Sequence, residues 1–84
     1  MVQRTRLFKE VDNEVRRYVI GNSAFNEQIE IALANADPLT RELVFFRARG
    51  GDYRQAMQRF NISQSTYHRR LRDFRQSLIN LLKL

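Results

Sequence analysis

The side chains best placed to do chemistry are the hydroxyls and guanidiniums of Ser63–Arg72, SQSTYHRRLR. A helix opening at Ser63 advances about 100° per residue. With Tyr67 at zero, Leu71, Phe74 and Leu78 fall within roughly 40° of it, whereas Ser65, Arg69 and Arg72 fall near roughly 160°, 200° and 140°. His68 and Thr66 lie on the flanks. An apolar stripe can hold such a helix to its domain while the opposite side enters the DNA major groove. There, guanidiniums grip guanine edges in pairs of hydrogen bonds or bind phosphates. On this reading base contacts fall to Ser65, Arg69 and Arg72, with His68 beside them. Phosphate contacts fall to Ser63, Gln64, Thr66 and Arg70, and to Tyr53 and Arg54 at the start of the preceding helix. Arg47, Arg49 and Arg75 extend the positive surface. A solvated face on an ordinary surface helix would be equally rich in Arg, so the weight falls on the turn that precedes Ser63.

That turn is well specified. Gly50-Gly51 stops one helix, and Asp52 can cap the next. Tyr53, Ala56, Met57 and Phe60 follow on one face. Asn61 tolerates the left-handed backbone of a turn, Ile62 plugs it, and Ser63 caps the last helix. Upstream, Leu7, Phe8, Val11, Val15, Tyr18 and Val19 recur at helical spacing from Thr5 to Ile20, and Gly21-Asn22 ends that run. Ser23 then reads as the cap of a helix over Ala24–Asn35, with Phe25, Ile29, Ala32, Leu33 and Ala36 inward. Asp37-Pro38 opens a third helix, which carries Leu39, Leu43, Val44, Phe45 and Phe46 and ends at Gly50. No stretch alternates as a strand does. The expected fold is all-α: one five-helix domain over residues 1–84, with an N-terminal helical pair (1–37) and a helix-turn-helix half (38–84) that ends in a long helix from Gln64 to about Lys83. The late leucines Leu78, Leu81, Leu82 and Leu84 are either core or, at their 4-3 spacing, the interface of a homodimer.

Charge divides the same way. Residues 1–40 carry five basic side chains against six acids, and residues 41–84 carry ten against three, so a net −1 half adjoins a +7 half. Thirteen of the fifteen basic residues are Arg, the type suited to planar, two-pronged recognition of a polyanion. The chain contains no Cys, so disulfides and thiolate metal sites do not arise. With no apolar run of membrane-spanning length and no signal-peptide pattern, the expectation is a cytoplasmic, nucleoid-associated protein that touches no membrane. An enzyme fits poorly. His68 is the single histidine, with no carboxylate pair beside it and no ligand set around it. Gly50-Gly51 lacks the Lys and Ser/Thr of a phosphate-binding loop. No metal and no cofactor are expected.

GGDYRQAMQRFNISQSTYHRRLRDF resembles the Fis-type helix-turn-helix that also closes NtrC-like activators. The family pattern runs Gly-Asn, an Ala pair, Leu-Gly-Ile, Ser/Asn, then Thr-Leu and a basic pair before Leu. Here Gly51-Asp52, Ala56-Met57, Phe60-Asn61-Ile62, Ser63, Thr66-Tyr67 and Arg69-Arg70-Leu71 stand at those places. Met57 replaces a small residue and Asn61 replaces the turn glycine. The likeness covers roughly residues 38 to 74. ISQSTYHRRL is also similar to the helix-turn-helix of LuxR-type domains and of sigma-factor region 4. These resemblances imply a small bacterial or phage regulator of transcription that binds double-stranded DNA, selectively or architecturally. The dimer arrangement of the Fis-type family does not carry over, because this chain continues well past the motif; a homodimer is expected from the late leucines and from the two half-sites that helix-turn-helix proteins often engage. A second reading keeps the same helices but makes the chain an adaptor that binds the transcription machinery or a nucleoid protein without touching DNA.

Overall fold

The computed structural model describes residues 4–83, with side chains from Leu7 onward; Leu84 lies outside the described residues. Five helices follow in order: α1 (Arg4–Val19), α2 (Asn26–Asn35), α3 (Pro38–Ala48), α4 (Tyr53–Phe60) and α5 (Gln64–Leu82). No strand occurs among the described residues.

The caps explain most of these boundaries. The Asp37 carboxylate accepts the Thr40 N–H at 2.7 Å, with Pro38 in the first turn of α3. Asp52 does more than expected. Its carboxylate accepts the Gln55 N–H at 2.9 Å while the Gln55 side chain accepts the Asp52 N–H at 3.1 Å. This reciprocal box ties down two donors that a helix start leaves unpaired. Ser63 accepts the Thr66 N–H at 3.1 Å and opens α5. At the end of α3, Gly50 takes φ +96° and the Gly51 N–H reaches back to the Phe46 carbonyl at 3.0 Å. Gly51 itself is needed for closeness, because a Cβ there would stand 2.2 Å from the Phe46 ring. Asn61 ends α4 with φ 54°, the left-handed conformation that the turn demands of a residue standing where a glycine is usual.

The start of α2 departs from expectation. The helix begins at Asn26 rather than Ala24, and no side chain caps it. Ser23 spends its hydroxyl earlier, accepting the Phe25 N–H at 3.0 Å and donating to Glu14 at 3.3 Å. With the helix delayed, Phe25 precedes its first turn and is exposed instead of inward. Val19, also expected inward, is exposed where α1 ends.

α5 lies against all four other helices, so the two halves share one core. Val11 and Val15 of α1, Ile29, Ala32 and Leu33 of α2, Leu43 and Val44 of α3 and Ala56 of α4 surround Tyr67, Leu71, Phe74, Leu78 and Ile79 of α5. The radius of gyration is 12.2 Å, as expected of a compact chain of this length, about 12 Å. Leu78 is 0 % exposed and lies in that core, so it is not a dimer-interface residue. Of the two alternatives for this leucine, core or subunit interface, the described helices supply the first: α1 and α2 pack on α5. Leu81 and Leu82 are half-buried against the same core.

Candidate nucleic-acid interface

A three-residue turn, Asn61-Ile62-Ser63, joins α4 to α5 and seats the two helices against each other. Tyr67 and Leu71 are buried behind the first half of α5. On the other side Ser65, Arg69 and Arg72 are exposed together, as are Gln64 and His68. Among the described residues, the ionic contact of Arg72 is its exposed neighbour Asp73, at 3.7 Å.

Aromatic rings brace the junction. The His68 ring lies 5.9 Å from Tyr53 and 5.2 Å from Tyr67, centroid to centroid. The Arg54 guanidinium sits 5.7 Å from the Tyr53 centroid and donates to the Tyr53 hydroxyl at 3.2 Å. Tyr53, Arg54 and His68 therefore form one surface cluster across the two helices. Ser63 and Thr66 are joined by their hydroxyls at 3.0 Å, so the Ser63 side chain is already engaged in capping.

Three arginines expected at the surface are paired with acids of the N-terminal half. Arg75 donates to both oxygens of Asp12, each at 3.0 Å, and its guanidinium lies 5.4 Å from the Phe8 centroid. Arg47 donates to Asp12 at 3.2 Å and to the Tyr67 hydroxyl at 3.3 Å. Burial alone opposes the Arg47 charge. The Tyr67 hydroxyl and the Asp12 carboxylate outweigh it and hold the guanidinium above its ordinary pKa. Arg47 and Arg75 are thus drawn onto one acid from the N-terminal half, which offsets one of their two charges. Arg70 donates to Asp37, the cap of α3, and its Nε is buried without a partner. It joins α5 to α3 instead of standing free for a phosphate.

Sequence reasoning overlooked Asp12 and Gln55. The Asp52-x-x-Gln55 spacing is a legible capping signal. Nothing local marks Asp12, whose partners lie 35 and 63 residues away. Among the described residues, no three acids, histidines or cysteines are grouped to hold a metal, and no helix is long and apolar enough to cross a membrane.

No protein-family model, curated protein or solved structure matches this chain.

Proposed function

We propose that the chain binds double-stranded DNA as a small regulator of transcription, with the first half of α5 in the major groove. The observation that carries this reading is the division of that helix: Ser65, Arg69 and Arg72 exposed on one side, Tyr67 and Leu71 buried on the other. Arg69 and Arg72 are the bidentate readers of guanine, Ser65 and His68 touch neighbouring bases or backbone, and Gln64, Thr66 and Arg54 bind phosphates. The +7 balance of residues 41–84 draws the chain to the duplex. A Fis-type ancestry belongs to the same reading and rests on the residues from Gly51 to Leu71. So does self-association at the nucleoid, through a surface other than Leu78.

Selection of bound duplexes from a random library tests this directly. Enrichment of a defined motif supports sequence-selective binding. Binding without enrichment, weakening steeply with salt, supports an architectural role. A chain that retains no duplex at low salt is not a DNA-binding protein, and the adaptor reading takes its place.

A further inference from the structure

Arg49 and Arg59 are exposed, and neither guanidinium forms an ion pair or a hydrogen bond among the described residues. That separates them from Arg47, Arg70 and Arg75, which Asp12 and Asp37 engage. The two line one open groove of about 740 Å³ at the junction of α3 and α4, beside Phe46, Gln55 and Gln58. They also line the smaller hollow next to it. Arg59 is positioned without its donors being used. Its guanidinium lies over two half-buried rings, 5.7 Å from the Phe46 centroid and 5.8 Å from that of Phe60. A ring engages the face of a guanidinium and leaves its in-plane N–H groups free to donate. The acids nearby do not cancel this charge. Glu42 borders the hollow and pairs with neither arginine, and the Asp52 carboxylate accepts the Gln55 N–H.

The groove lies across α4 from α5. Tyr53 faces α5, its ring 6.4 Å from Tyr67 and 5.9 Å from His68. At about 100° per residue, Gln55, Gln58 and Arg59 stand roughly 200°, 140° and 240° around α4 from Tyr53. Among the described residues, no side chain of α5 lines the groove. A duplex seated on Ser65, Arg69 and Arg72 therefore leaves Arg49 and Arg59 to another anion. Two unpaired guanidiniums at one open groove suit phosphates spaced along a backbone, which need no enclosed pocket.

We propose that the Arg49–Arg59 groove is a second nucleic-acid site, which takes the phosphate backbone of a second duplex segment while α5 reads the first. One chain then bridges two stretches of DNA. The α5 side supplies sequence preference, and the groove, with no base-reading helix, binds any sequence. The proposal rests on the DNA-binding reading of α5 and adds to it a site that α5 does not reach.

Capture of one short duplex by another is the test. One duplex is fixed to beads, the other is fluorescent and free, and the purified chain is added at low salt. The wild type should retain the free duplex, and raising salt from about 50 to about 200 mM should cut retention about tenfold or more. Arg49→Ala/Arg59→Ala should still bind a single duplex by fluorescence anisotropy but lose capture at least about tenfold. Arg49→Lys/Arg59→Lys keeps both charges and should retain capture to within about threefold; helical circular dichroism checks that both variants fold. A wild type that binds one duplex and captures no second overturns the proposal and leaves the reading of α5 standing. An alanine variant that captures as the wild type does also overturns it, because bridging then comes from paired subunits or from elsewhere on the chain. So does a lysine variant as defective as the alanine one. A wild type that binds no duplex at all removes both readings together.

Discussion

Arginines adjacent in sequence have different work. Arg69 and Arg72 are exposed on α5, whereas Arg70 between them donates to Asp37 and Arg75 donates twice to Asp12. If Arg69 reads a guanine, Arg69→Ala should weaken binding to a selected duplex by about 1–3 kcal/mol and relax preference at one base pair. Fluorescence anisotropy on matched and mutated sites would show it, and an unchanged dissociation constant on both would remove Arg69 from the interface. Asp12 should matter in another way. It accepts three guanidinium hydrogen bonds from α3 and α5, so Asp12→Ala leaves two half-buried or buried cations without their counter-ion. A loss of about 2–3 kcal/mol in urea unfolding is expected. Asp73→Ala removes only the exposed pair with Arg72 and should change stability by less than about 1 kcal/mol. Equal effects of the two substitutions would mean that the Asp12 network contributes nothing special.

At the scale of the elements, the helix ends do most of the specifying. Asp37, the Asp52–Gln55 box and Ser63 each satisfy backbone donors at a helix start. The loop between α3 and α4 is short because Gly50 turns the chain with a positive φ and Gly51 passes close to Phe46. The two glycines therefore differ. A methyl group at Gly50 meets nothing within 4 Å and is disfavoured only by its backbone, whereas one at Gly51 collides with the Phe46 ring. That ring packs edge-on against Phe60 at 5.6 Å, so displacing it disturbs the seating of α4. Gly51→Ala is expected to lower stability by about 1–3 kcal/mol, read as a shift of the thermal midpoint. Full stability in this variant would show that the ring swings aside freely.

For the molecule as a whole, α5 is both the central strut and the proposed reading head. Its buried row runs from Tyr67 through Leu71 and Phe74 to Leu78 and Ile79, and helices from both halves of the sequence pack on it. Leu78→Ala should accordingly cost about 2–5 kcal/mol as a core cavity, and the loss should be independent of protein concentration. A loss that vanished on dilution would restore Leu78 to a subunit interface. The division of charge acquires a structural meaning at this scale. Asp12 and Asp37 of the N-terminal half are spent on Arg47, Arg75 and Arg70 of the other, which leaves Arg69 and Arg72 as the outward cations of the first half of α5.

Helical periodicity, glycine and asparagine stops and single-residue caps are local properties, set by a few neighbouring side chains and the backbone's own hydrogen bonds. For that reason the number and order of the helices, the turn at Asn61 and the outward placement of Ser65, Arg69 and Arg72 were all legible in the order of residues. The exceptions are also local in origin but ambiguous: at Ser23 two conformations compete for one hydroxyl, and the start of α2 moved with the outcome. Partnership across the molecule is of another kind. A guanidinium at the end of a long flexible side chain pairs with whichever carboxylate the packing brings within reach, and no spacing along the chain encodes that distance. The sequence alone therefore determined five amphipathic helices and the polar side of the last one. Only the tertiary structure decided which arginines remain outside, which are drawn in by Asp12 and Asp37, and that Leu78 is covered by its own chain, because those outcomes depend on how α1, α2 and α3 close around α5.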